Sequence, residues 1–306
     1  MKILIVSPYY NNSHFMEIQL LSFKKYLKNC YWKLLVLDDS KENTINVLTN
    51  TKENIKGECC KYEEVVYHKF PQNLHTYGNN SQRHIDVLNY MIQNITQIYK
   101  EDYDYILSFD ADMCFIEEVD VEKEVMGYDI IGPKRTQWLS NKQASNSPYY
   151  TLFWVHCCYF NLKTIKNITD MKFDTIPNTT TDTGAMMVEF LYNNPQYKLK
   201  YQQFTTGSER INDIYKFEFL NDNKYIHYGT ATLWNIDTNR YKNQTYNQLF
   251  GKFKEIVING LTNEEKKLIK REYEDGDAKK QIEYCISYMK IISTKNDLKN
   301  YNLNIN

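Results

Sequence analysis

The run Tyr105-Ile106-Leu107-Ser108-Phe109 is almost wholly apolar and stops at Asp110-Ala111-Asp112. A strand without polar alternation is one buried on both faces, the pattern of a parallel sheet covered by helices. Two runs of the same kind precede it. They are Lys2 to Val6 and Trp32 to Leu37, the second closed by Asp38-Asp39-Ser40. Between them Glu17 to Leu27 carries Ile18, Leu21 and Leu27 at helical spacing. Val65-Val66-Tyr67 reads as a third strand. Gly78-Asn79-Asn80-Ser81 opens a helix whose face is Ile85, Leu88, Ile92 and Ile95. Strand, helix and strand with short connections predict an α/β fold with a mostly parallel central sheet flanked by helices.

The pattern weakens after Asp129-Ile130-Ile131-Gly132. Lys134 to Tyr150 reads as a polar loop, and Thr151 to Phe160 as one apolar, aromatic strand. Thr183 to Tyr192 suits a helix, which Asn193-Asn194-Pro195 stops. Tyr225 to Tyr228 is a short strand before Gly229. From Leu261 the chain is charged and helical, with Thr262 and Glu265 spaced as a capping box. The boundaries that follow are 1–260 for the α/β domain and 261–306 for a helical C-terminal extension.

With 306 residues the chain can bury a large sheet with helices on both faces. Its 37 basic and 38 acidic residues give a net charge of −1, so no global positive field invites nucleic acid. The seven cysteines include the adjacent pairs Cys59-Cys60 and Cys157-Cys158, not the spacing of a zinc knuckle. Their odd count favours a reducing compartment. MKILIVSPYYNN is a first strand rather than a signal peptide, and no run is long enough to cross a bilayer. A cytoplasmic location is the expectation. Neither a P-loop, a complete GxGxxG, an HExxH nor a serine nucleophile elbow occurs.

The chemistry concentrates at strand ends. In open α/β sheets ligands bind in the crevice outside the carboxyl ends of the strands. Asp110 and Asp112 stand at such an end. Two crowded carboxylates repel unless a cation intervenes. Mg²⁺ or Mn²⁺ suits them, because both accept carboxylate and substrate phosphate oxygens. Asp38-Asp39 stands on the same edge. A carboxylate there either accepts from a ribose hydroxyl or base N–H, or caps the turn that follows.

The order of these motifs resembles the GT-A glycosyltransferases, which use nucleotide-diphosphate sugars. ILIVSPYYNN looks like their opening strand, and LLVLDDSKENT is similar to the second strand of the family-two type. GNNSQRHIDVLNYMI resembles the helix before the metal motif, and YILSFDADMCF matches the strand and DxD motif. The resemblance covers roughly residues 1 to 230 and is closest over the first 120. It implies a Rossmann-like, nucleotide-sugar-binding half over 1–120 and an acceptor-binding half over 121–260. It also implies a Mn²⁺ (or Mg²⁺) cofactor, a nucleotide-diphosphate sugar donor, UDP-linked by preference, and a carbohydrate or glycoconjugate acceptor. Carried over residue by residue, Pro8 and Tyr9 line the base pocket, and Asp38 or Asp39 reads the uracil or ribose. Arg83 approaches the diphosphate, Asp110 lies near ribose and metal, and Asp112 ligates the metal. The family's usual Gly-Ser after the second acidic residue is Ser40-Lys41 here. The stretch from about 134 to 160 matches nothing in the family.

Two late residues complete the set. In inverting enzymes of this kind a carboxylate placed like Asp182, in TTTDTGAMMVEF, deprotonates the acceptor hydroxyl. Its other reading is a helix N-cap. His227, in YIHYGTATLWN, is either a further metal ligand or a buried histidine bonded to backbone. His14, His68, His75, His84 and His156 show no shared ligand spacing, though His84 could approach a phosphate beside Arg83. Two other functions compete with glycosyl transfer. A sugar-nucleotide-forming nucleotidyltransferase would need a glycine-rich loop where SPYYNNSH stands. A non-catalytic carbohydrate-binding protein could stack sugars on Trp138, Tyr149 and Tyr150, but would not need Asp110, Asp112 and Asp182.

Overall fold

The computed structural model describes residues 1–41, 43–46, 48–76, 80–138, 149–175, 183–202, 204–206, 217–221, 223–228, 243–268 and 270–271. The chain begins with β1 (Lys2–Tyr9), α1 (Phe15–Tyr26), β2 (Leu27–Lys28), β3 (Tyr31–Asp38), α2 (Ile55–Cys59) and β4 (Val65–Lys69). The helix α3 (Asn80–Tyr90) continues through a π turn, Met91–Ile95, into α4 (Thr96–Tyr99). Then come β5 (Tyr105–Phe109), β6 (Met113–Phe115), β7 (Val119–Asp120), α5 (Val121–Val125), β8 (Ile130–Trp138), β9 (Tyr149–Phe153) and β10 (Cys157–Asn161). The later elements are α6 (Met187–Asn193), β11 (Leu199–Gln202), β12 (Phe204–Thr206), β13 (Glu218–Leu220) and β14 (Tyr225–His227). The helices α7 (Asn243–Asn259) and α8 (Asn263–Leu268) and the short strand β15 (Lys270–Arg271) complete them.

The main sheet has the order β11-β8-β10-β5-β1-β3-β4, with β9 paired to β8. The strands β4, β3, β1 and β5 are mutually parallel. Only β10 and β9 run against their neighbours. The sheet is therefore mixed. Successive strands step outward from β1 to β3 to β4, and the chain then returns to add β5 on the other side of β1. Such a reversal opens a crevice at the carboxyl ends of β1 and β5.

The apolar runs are continuous because β1, β3 and β5 are covered on both faces. Leu4 and Val6 pack with Leu88, Ile92 and Ile95 of the α3 side, while Ile3 and Ile5 pack with Leu20 and Phe23 of α1. All nine of these side chains are nearly inaccessible. Single residues of one strand thus serve alternate cores.

A second, antiparallel sheet of order β15-β12-β13-β14-β6 leans on α1 and α7 through Phe15, Ile226, Phe253 and Val257. Its last strand, β6, begins one residue after Asp112, so the acidic motif is the hinge between the two sheets.

Two sequence expectations change here. Thr151 to Phe160 is not one strand: Trp154 to His156 forms a turn between β9 and β10. The expected loop from Lys134 is strand β8 as far as Trp138, and residues 139–148 lie outside the described ones. The expected capping box does form, since Glu265 N–H donates to Thr262 Oγ1 at 3.1 Å and Thr262 N–H to Glu265 Oε2 at 2.8 Å. Most of the expected extension, 269 and 272–306, lies outside the described residues.

His14, just before α1, packs between the rings of Phe15 and Phe250. Burial pulls its pKa down from 6.5 to about 3. The folded chain keeps this imidazole neutral where the unfolded chain protonates it. Unfolded chains therefore bind the extra proton between pH 6.5 and about 3, and stability falls as pH falls through that window. We expect His14→Gln to flatten this acid limb, which in the native chain steepens by up to about 1.4 kcal/mol per pH unit. Urea melts from pH 7 to pH 4 would show it. Parallel limbs in the two proteins would clear His14 of any part.

Candidate functional site

The turn after β5 is held from beneath. Met113 N–H donates to the Asp110 carbonyl at 3.1 Å. Gln19 of α1 donates through Nε2 to the carbonyls of Asp110 and Met113, at 2.9 and 3.1 Å. The Tyr9 hydroxyl in turn donates to Gln19 Oε1 at 2.9 Å. Tyr9 is fully buried, so its ring fills the core and does not line an open pocket. Its neighbour Tyr10 is half-buried and carries the Arg83 guanidinium over its ring at 5.0 Å. Pro8, also half-buried, stands opposite Leu37 in the sheet.

The turn delivers both carboxylates upward. β14 pairs with β6 so that His227 stands opposite Met113, and Tyr228 N–H donates to the Asp112 carbonyl at 2.9 Å. This register brings His227 Nε2 to 3.1 Å from Asp112 Oδ1. Donor atoms of Asp110, Asp112 and His227 all lie within 4.8 Å of one another. The three residues come from a strand end, a turn and a different sheet. Two carboxylates and one imidazole form an oxygen-rich set suited to Mn²⁺ or Mg²⁺.

The other ring nitrogen of His227 is also engaged. Nδ1 lies 2.6 Å from Glu218 Oε2, across the β13–β14 pair in which Glu218 faces His227 directly. Burial alone would lower the His227 pKa, but the charges of Asp112 and Glu218 raise it well above its usual value. A carboxylate on the far nitrogen is the arrangement that fixes the tautomer and plane of a metal-binding histidine. Glu218→Ala is expected to weaken Mn²⁺ binding by about 10–100-fold, the range for lost outer partners of metal ligands. Glu218→Gln should recover part of the loss, because its amide oxygen still accepts from Nδ1–H. Calorimetric titration checks both, and Mn²⁺ affinity untouched by Glu218→Ala would leave the residue a mere strand neighbour.

Two histidines that the sequence did not tie to Asp110 complete the wall. His156 Nδ1 lies 2.6 Å from Asp110 Oδ2, and His84 Nε2 lies 3.4 Å from Asp110 Oδ1. Burial pushes the Asp110 pKa up, but the charges of His156 and His84 outweigh it and hold the carboxyl well below the usual range. Trp154 packs edge-on against both His156 and His227, at 4.7 and 5.0 Å between ring centres. His156 comes from the turn that interrupts the expected strand, and no spacing in the sequence links it to Asp110.

Asp38 and Asp39 lie beside this crevice, and both are nearly inaccessible. Asp38 accepts from Ser40 N–H at 2.8 Å, the Tyr67 hydroxyl at 2.9 Å and Lys69 Nζ at 3.1 Å. It thus caps the turn at Ser40-Lys41. Asp39 accepts from Gln72 Nε2 at 2.9 Å and Arg83 Nη2 at 3.0 Å, and contacts His75. Arg83 is therefore paired with Asp39. Asp182 lies outside the described residues. The backbone just after it is fixed, with Gly184 N–H donating to the Phe173 carbonyl at 2.6 Å.

No family model matches the chain, and no curated protein matches it. Among solved structures it is similar to the galactosyltransferase LgtC in complex with donor and acceptor sugar analogues. That match has 15% identity and a TM-score of 0.46, over 82% of this chain and 96% of the other. A structure of an active-site variant of LgtC gives 16% identity and a TM-score of 0.43 over the same shares. At these scores the likeness carries no argument, and the chemistry is read from the site itself. Among the described residues no helix is long and apolar enough to cross a membrane.

Proposed function

We propose that the protein is a metal-dependent glycosyltransferase. In this reading it moves a sugar from a nucleotide-diphosphate donor, UDP-linked by preference, to a hydroxyl of a glycan or glycoconjugate. One observation carries the reading. Asp110, Asp112 and His227 converge at the carboxyl end of β5, in the crevice where the strand order reverses. Acidic residues so placed would be self-defeating for binding a diphosphate unless a cation lay between them.

Asp110, Asp112 and His227 would hold the cation, Mn²⁺ or Mg²⁺. Once bound, it supplies charge neutralisation to the departing diphosphate. Arg83, at the Asp39 edge of the crevice, would face the same charge. Asp38 or Asp39 would read the ribose or base, beside Pro8. The Trp154–His156 turn excludes water from one side. Asp182 takes the proton of the acceptor hydroxyl. The division into a donor half over 1–120, an acceptor half over 121–260 and an extension over 261–306 belongs to the same proposal.

A panel of sugar nucleotides, titrated with and without Mn²⁺, tests it. We expect at least one to bind and to be slowly hydrolysed only with the metal present. If none binds under either condition, the proposal falls.

A further inference from the structure

Asp110 belongs to two donor sets at once. Asp112 of the same turn and His227 of the second sheet form one set with it. His84 of α3 and His156 of the turn before β10 also reach its carboxylate. Donor atoms of His84, Asp110 and His156 also lie within 4.8 Å of one another. Their rings are 4.8 Å apart between centres.

We propose that His84, Asp110 and His156 form a second cation site, which takes a borderline-soft transition ion of the Zn²⁺ class. It rests on the proposed function only through Asp110, the carboxylate common to both sets. The two sets differ in chemistry. The first has two carboxylates and one imidazole, the second two imidazoles and one carboxylate. Oxygen-rich sets favour Mg²⁺ and Mn²⁺, while imidazole favours zinc and its neighbours. Three protein ligands with one open position is the usual composition of a reactive zinc centre.

The second set is also held in place. Asp110 N–H donates to the His156 carbonyl at 3.0 Å, tying the two ligands through the backbone. His156 is braced edge-on by Trp154. His84 projects from a helix anchored by the buried neighbours Ile85 and Leu88. The three side chains keep some exposure, 23% for His84, 14% for Asp110 and 12% for His156. An ion can therefore enter, and water can complete its shell.

Zinc would also enter the first site, so the test removes that site first. Asp112→Asn protein is titrated with Zn²⁺ by calorimetry, and the bound metal is counted after gel filtration. The expected result is about one Zn²⁺ per chain, with affinity falling at least about a hundredfold on adding His84→Asn. His156→Asn in the same background should do likewise, and circular dichroism must show each variant folded. In the otherwise native chain, His84→Asn should leave Mn²⁺ binding in place. Failure of Mn²⁺ binding in the native protein would strike the proposed function and not this site. Absence of Zn²⁺ binding by Asp112→Asn protein, or binding that survives loss of both histidines, would overturn the second site.

Discussion

Asp112→Ala is expected to lower turnover at least about a hundredfold, the scale seen when electrostatic support for a leaving group is lost. The side chain is nearly inaccessible and stands at hydrogen-bond distance from His227 Nε2. Its removal takes one of three donors from the cation set, and the remaining two cannot enclose a divalent ion. Mn²⁺ affinity should fall with turnover. The fold should persist for reasons the structure makes specific. The Asp112 carbonyl keeps its bond from Tyr228 N–H, because that bond is backbone to backbone. His227 keeps Glu218 at 2.6 Å, so the imidazole is not left without a partner. One lost contact of this kind costs about 1–3 kcal/mol. The decisive combination is a cooperative melt with absent metal binding. Full turnover in a well-folded Asp112→Ala protein would remove the metal site from the mechanism.

Strands β1, β3 and β5 were legible in the sequence because each is buried on two faces. Ile5, Leu35 and Ile106 are flanked on both sides by apolar residues, and burial is written directly into the residue types. The acidic pair was legible for the same reason, standing where such a run stops. The turn at Trp154 to His156 was not. It carries no glycine or proline, and its tryptophan and valine are as buried as the strands on either side. The missing signal is physical: a tight turn packed into a core needs no turn-forming composition. His156 and His84 share this obscurity. They are 72 residues apart in sequence, and only the packing of α3 against the sheet sets both on Asp110. Glu218 was hidden differently. Its strand is three residues long, too short for alternation to register, and its importance comes from the partner that faces it.

Asp182→Asn is expected to lower transfer to the acceptor by roughly a hundredfold or more, while donor binding and stability hold. Asparagine keeps the size and most of the hydrogen-bonding capacity of aspartate, so it removes little besides the proton-accepting charge. The neighbouring backbone gives the substitution a well-defined background. Gly184 has φ +92°, and a Cβ placed on it would lie 2.6 Å from Val155 Cγ1. Only glycine fits there, and the contact pins the chain two residues beyond Asp182 against the turn that carries His156. Alternative bases are less free to act. Asp174 accepts from Asn89 Nδ2 at 3.1 Å, with Met186 N–H on its carbonyl, so it is committed to local structure. Glu189 lies on the exposed face of α6, beside Asn167, Asp170 and Lys172 in a separate cavity. Glu209, a third carboxylate of this region, lies outside the described residues. Three measurements on one preparation separate the roles: a thermal melt, donor titration with Mn²⁺, and acceptor glycosylation. A large fall in melting temperature with unchanged specific activity would give Asp182 a structural role instead. Near-normal transfer would exclude it as the base and point to a retaining reaction, in which an oxygen of the leaving phosphate can accept the proton.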